Sequence, residues 1–119
     1  MKIAIPTSGK DLNAPMDERF GRAAGFIIYD TGAGSCEYID NVKNLDAAQG
    51  AGIQSAKTVT DSGAEVLITG NVGPKAHAAL TAAGIEIYLK NGGTVGEAIE
   101  AYRSGSLAKT PMANVEGHW

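Results

Sequence analysis

The sequence predicts an α/β domain: a mixed five-stranded sheet in the order 3-2-1-4-5 with helices on both faces. Three observations carry this. The first 42 residues hold three short apolar runs, the last two divided by a turn-forming stretch. The second half alternates helix-length with strand-length segments, and glycines stand where the first two of those helices must stop. Antiparallel strands followed by βα units give a mixed sheet, because right-handed crossovers return each later strand parallel to the one before it.

The first strand is Lys2 to Thr7, an Ile-Ala-Ile run with no polar residue between its two ends. A connection from Ser8 to Arg22 follows, long for so small a domain, and long connections in compact domains tend to be functional or disordered. Gly25 to Tyr29 and Glu37 to Val42 flank Asp30-Thr31-Gly32-Ala33-Gly34-Ser35 and form a hairpin. Helices are expected at 51–62, 74–83 and 94–103, alternating with strands at 65–69 and 85–89. Ser62-Gly63 and Ala83-Gly84 supply left-handed caps, and Thr94 with Glu97 makes a capping box. The tail from Ser104 to Trp119, with Pro111, is too irregular to join the core. The resulting β-β-β-α-β-α-β-α order resembles the three-layer ribonuclease H-like topology.

Composition narrows the function. A chain of 119 residues, 44% hydrophobic, builds one domain without a disulfide staple. Net charge is −3 and the ten Lys and Arg are scattered, so neither a nucleic acid nor a membrane surface is an expected partner. The N-terminal apolar stretch is too short for a signal peptide, and no run approaches the roughly 18 residues that span a bilayer, which points to the cytoplasm. The single cysteine, Cys36, falls in the turn of the hairpin and cannot alone hold an iron–sulfur cluster.

Val66-Leu67-Ile68-Thr69-Gly70-Asn71-Val72-Gly73-Pro74-Lys75 reads as a buried strand that turns on two glycines into a helix with proline in its first turn. Such a turn leaves backbone amides and the positive end of the helix dipole facing whatever lies above Gly70, a site for an anion, with the charge of Lys75 nearby. The same residues also make an ordinary strand-to-helix connection. Strands one and four are neighbours whose connections diverge, opening a crevice at their carboxyl edge. Asp17-Glu18-Arg19-Phe20-Gly21-Arg22-Ala23 ends the long connection there. Arg19 and Arg22 offer guanidinium forks to an anion while Phe20 anchors the loop, unless Asp17 and Glu18 neutralise them. Gly50 and Gly52 open the first helix, and their amides either line the same crevice or merely loosen the helix start.

In this order, DERFGRA, the Gly-Ala-Gly helix entry, ITGNVGPKA and AAGIEIY resemble the dinitrogenase iron–molybdenum cofactor biosynthesis family, the NifX-like carrier domains, and within it the stand-alone orange-protein-like members. The resemblance covers about residues 1–105, leaving 106–119 as a tail. It implies a ribonuclease H-like domain that is not an enzyme but carries or stores an anionic metal–sulfur cluster, a molybdenum–copper or iron–molybdenum sulfide or its precursor. Cluster-assembly or cluster-receiving proteins become the expected partners. Because such a cluster brings its own sulfides, amides, guanidinium groups and apolar contacts suffice to hold it. The implied contacts are Arg19, Arg22, Gly50, Gly52, Gly70, Asn71, Gly73, Lys75 and His77. Arg19 stands where some nitrogenase-associated members carry a histidine, and arginine has no lone pair for a metal.

Two histidines are candidate metal ligands. His77 lies in the first turn of its helix and either reaches back to the crevice or stands on the exposed face; His118, beside Trp119, caps a cluster only if the tail folds over it. A nuclease is excluded by chemistry, since Ile3-Ala4-Ile5-Pro6-Thr7 and Ile68-Thr69-Gly70 carry no metal-binding acids. The alternatives are a phosphate- or nucleotide-binding module, which the same amides and Lys75 would serve, and a protein-docking regulatory module.

Overall fold

A computed structural model describes residues 1–41 and 51–110. The strands are β1 (Lys2–Thr7), β2 (Gly25–Asp30), β3 (Ser35–Asp40), β4 (Val66–Thr69), β5 (Glu86–Leu89) and β6 (Ala108–Lys109). Helices α1 (Ala51–Asp61), α2 (Pro74–Ala82) and α3 (Val95–Arg103) join them, and a 3-10 turn occupies Phe20–Arg22. They form one sheet in the order β3-β2-β1-β4-β5-β6. The pairs β1–β4 and β4–β5 are parallel; the others are antiparallel.

The expected 3-2-1-4-5 order is therefore present, and the count of five is corrected to six. The additional strand forms because Gly105, at φ +74°, turns the chain back after α3. Thr110 N–H then donates to the Ile87 carbonyl (2.8 Å), and Lys109 Nζ pairs with Glu86 (2.9 Å). Two exposed residues on a sheet edge carry no hydrophobic period, so the sequence held no signal for them.

Alternation along the strands builds two cores. Ala4, Phe26, Ile28, Leu67 and Ile87 point to the face covered by α1, α2 and the 3-10 turn, where Ala56, Val59, Ala76, Leu80 and Phe20 meet them. Ile3, Ile5, Ile27, Val66 and Ile68 point to the other face, under Val95, Ala98 and Ile99 of α3 and Ala14 and Met16 of the long connection. Both sides of the central strands are thus buried, which explains why β1 and β4 read as continuous apolar runs rather than alternating ones. Gly63 (φ +85°) and Gly84 (φ +83°) take the left-handed conformation just past α1 and α2 as expected. The capping box forms too, Glu97 N–H donating to Thr94 Oγ1 and Thr94 N–H to the Glu97 carboxylate.

The hairpin is tighter than its sequence suggests. Asp30 Oδ1 accepts the N–H groups of Gly32 (2.9 Å) and Ala33 (3.2 Å), closing the turn in four residues. β3 consequently starts at Ser35, and Cys36, expected in the turn, is an exposed residue of this edge strand opposite Tyr29. The Ala33 and Gly32 amides hold the Asp30 carboxyl below the usual carboxylate range. A lowered folded pKa means that this contribution is complete above the ordinary range and lost as pH falls through the lowered value. An Asp30→Ala variant should accordingly lose less stability on acidification below about pH 4 than the parent protein, as read from urea midpoints across that range.

Candidate functional site

The long connection lies stitched across the carboxyl edge of β1 and β4. Thr7, fully buried at the end of β1, donates through Oγ1 to the Pro15 carbonyl (2.7 Å) and accepts from Gly9 N–H (3.1 Å). Asp17 N–H reaches the Pro6 carbonyl (2.7 Å) and Met16 N–H that of Gly93 (2.8 Å). From α3, Val95 N–H donates to the Ala14 carbonyl and Gly96 N–H to that of Leu12. The loop has exchanged its backbone groups with both the sheet and a helix start, which is how so long a segment stays ordered.

At its far end the connection crosses directly over Gly70. Asn71 N–H donates to the Glu18 carbonyl (2.6 Å), and Phe20 N–H to the Asn71 carbonyl (3.2 Å), so Arg19 and Asn71 run side by side. A Cβ on Gly70 would stand 2.8 Å from Glu18 Cβ and 3.0 Å from its Cα and carbonyl oxygen. Gly70 thus admits the chain's own backbone. Beside this crossing opens a cleft of about 400 Å³ lined by Ser8, Pro15, Met16, Asp17, Glu18, Arg19 and Asn71. Its charges are mixed. Asp17 Oδ1 accepts Arg19 N–H (3.0 Å), so one carboxylate serves the loop's own turn. Arg22 is half-buried and makes no ion pair with any described residue.

Across Arg19 the α1–α2 face presents a different arrangement. The 3-10 turn packs on α1, and Gly52 of α1 meets the start of α2: a Cβ on Gly52 would lie 3.4 Å from Ala76 Cβ. Gly73 is the N-cap of α2 and has no side chain to cap with; Pro74 follows in the first turn and Lys75 is exposed. Thr69, the last residue of β4, shares the strand face of Leu67; its Oγ1 is buried without a partner among the described residues. His77 neither reaches the crevice nor stands exposed. It is 8% exposed, with Nε2 3.4 Å from the carbonyl of Thr110 just beyond β6.

The expected site residues therefore fall into groups. Arg19 and Asn71 line the cleft with Gly70 beneath the crossing, whereas Gly52 of α1 meets the start of α2, where Gly73 and Lys75 lie, and Arg22 belongs to the turn that packs on α1. His77 faces the C-terminal segment. Gly50 and His118 lie outside the described residues. Among the described residues no three His, Cys, Asp or Glu side chains converge as a metal site, and no helix is long and apolar enough to cross a membrane. Sequence reasoning missed the role of Glu18 against Gly70, and a buried pair, Asn41 and Ser55, that ties β3 to α1. Neither pair has a fixed spacing that could have signalled it.

The chain matches the dinitrogenase iron-molybdenum cofactor family over residues 1–105. Its structure is similar to that of the apo form of the orange protein from Desulfovibrio gigas, with TM-score 0.93 and 41% identity over 96% of each chain. It is also similar to a putative NifB protein from Thermotoga, with TM-score 0.85 and 41% identity over 98% of each chain. An uncharacterized protein of Methanocaldococcus jannaschii is 30% identical over 111 residues, 92% of this chain and 91% of that one. The family match runs through both the arginine turn and the glycine-rich start of α2, and the chain belongs to the dinitrogenase iron-molybdenum cofactor family.

Proposed function

We propose that this protein binds and carries an anionic metal–sulfur cluster, or a precursor of one, without transforming it. The observation that carries the reading is the uncapped start of α2, which meets Gly52 of α1, the helix that also packs against the turn bearing Arg22. The N-terminus of α2 carries the positive end of its dipole, and the Lys75 and Ala76 amides receive no capping side chain from Gly73. Arg22, with no described ion pair, and Lys75 add mobile charge, and Arg19 borders the site from the cleft side. The mixed charge of the cleft itself suits an anion less well than this face does. The family relation supports a cluster related to the iron-molybdenum cofactor, and the reading extends to a molybdenum–copper sulfide. In the same reading the sheet is ribonuclease H-like with an added edge strand, the protein is cytoplasmic and non-catalytic, and its partners are cluster-assembly or cluster-receiving proteins.

Cargo that carries its own sulfides needs no thiolate cage, so exposed Cys36 on a distant edge strand plays no part. Binding is electrostatic and hydrogen-bonded, and salt at about 0.1 M screens it over roughly 10 Å. Replacing Arg19 and Arg22 together with Ala should weaken tetrathiomolybdate uptake by roughly tenfold or more at low salt, since hydrogen bonds to charged groups contribute about 1.5–3 kcal/mol each. The difference should shrink as salt rises, and far-UV circular dichroism should stay unchanged. Uptake equal to that of the parent protein would overturn the assignment, and displacement by equimolar phosphate would identify a phosphate site instead.

A further inference from the structure

We infer that Asn41 and Ser55 are positioning residues for the anion site, holding the Arg22 turn in register with α1; this rests on the site proposed above. Asn41 is fully buried where β3 ends, and Ser55 is fully buried on α1. Asn41 Nδ2 donates to the Ala23 carbonyl (2.9 Å) and to Ser55 Oγ (3.0 Å), while Ser55 Oγ lies 3.3 Å from Asn41 Oδ1. Asn41 also donates its backbone N–H to the Ala24 carbonyl (2.8 Å). One residue thus grips both carbonyls that immediately follow Arg22 and fastens them to α1, the helix whose Gly52 meets the start of α2.

An apolar pair would fill this place as well if packing were all that mattered, because Ala23 and Ala56 around it are fully buried. Hydrogen bonds differ from packing in being directional. Sliding the 3-10 turn along α1 would strand buried donors and acceptors, so the network permits one register and penalises the rest. Packing of Phe20 alone leaves the turn freer to slide, since dispersion contacts are individually weak and non-directional. The consequence for the site is that the Arg22 guanidinium starts from a fixed backbone relative to α1 and to the α2 start that Gly52 meets.

Ser55→Ala tests this in the full chain, because alanine suits a helix interior and leaves the Asn41–Ala23 bond available. Tetrathiomolybdate affinity, titrated at low and high salt well below the unfolding temperature, should fall by ~10-fold, the low end of what outer-shell partners contribute to bound metal groups. The salt dependence should flatten as it does in Arg22→Ala, a change that loss of stability alone would not produce. Combining Ser55→Ala with Arg22→Ala should add little further loss. Parent-like affinity in Ser55→Ala, or losses that multiply in the double variant, would overturn the positioning role while leaving the site intact. Parent-like affinity in Arg22→Ala would overturn the site reading and this inference with it.

Discussion

Phe20→Ala should lower unfolding free energy by about 3–5 kcal/mol, a large share of the roughly 5–15 kcal/mol available to a domain of this size. Phe20 is 1% exposed, its ring 5.4 Å from that of Phe26, in the core that also holds Val72, Ala76 and Leu80. Truncation removes apolar area and leaves a cavity that backbone on both sides cannot collapse to fill, because Phe20 N–H is tied to Asn71 and Asn71 to Glu18. The functional consequence follows from position. Phe20 stands between Arg19 and Arg22 in sequence, so under the proposed anion site its loss, by loosening the turn that carries them, should weaken tetrathiomolybdate binding even where the protein remains folded. Urea unfolding followed by circular dichroism reads the first effect and titration the second. A loss below about 1 kcal/mol would contradict the burial of this ring.

Gly70→Ala should cost about 1–3 kcal/mol, the range for forcing an extra methyl into a packed region. The new Cβ would meet Glu18 at 2.8 Å and backbone atoms of the same residue at 3.0 Å, and a crossing backbone yields less easily than the end of a flexible side chain. Gly70 is not among the residues with positive φ, so the penalty comes from contact and not from dihedral strain. Displacing Glu18 would break the Asn71–Glu18 hydrogen bond and carry Arg19 with it. Gly52→Ala is the informative control: its Cβ would reach only 3.4 Å from Ala76, inside a helix where alanine is preferred by about 0.5–1 kcal/mol. Equal losses for the two variants would mean that the crossing at Gly70 is not as close as described.

Much of the fold was legible because its signals are local. Period and length separated helices from strands, and Gly63, Gly84 and the Thr94–Glu97 box marked ends that the structure places within about a residue or two. The strand order followed from counting antiparallel strands before βα units. Sheet strand six was not legible, because two exposed residues have no period, and Cys36 moved from turn to strand because one carboxylate closed the hairpin early.

The candidate site was legible only as a set of residues. Sequence placed Arg19, Arg22, Gly70, Asn71, Gly73, Lys75 and His77 around one crevice, yet whether Gly70 faces a ligand or Glu18 depends on where a loop 52 positions earlier crosses it. Likewise His77 turns to Thr110, and Asn41 finds Ser55, through contacts between segments that only the folded sheet brings together. Periodicity and cap chemistry act over three or four residues and are written in adjacent letters of the chain. Close approach, burial and hydrogen-bond partnership act between residues far apart in sequence, and those exist only once the two cores have formed on either face of the sheet.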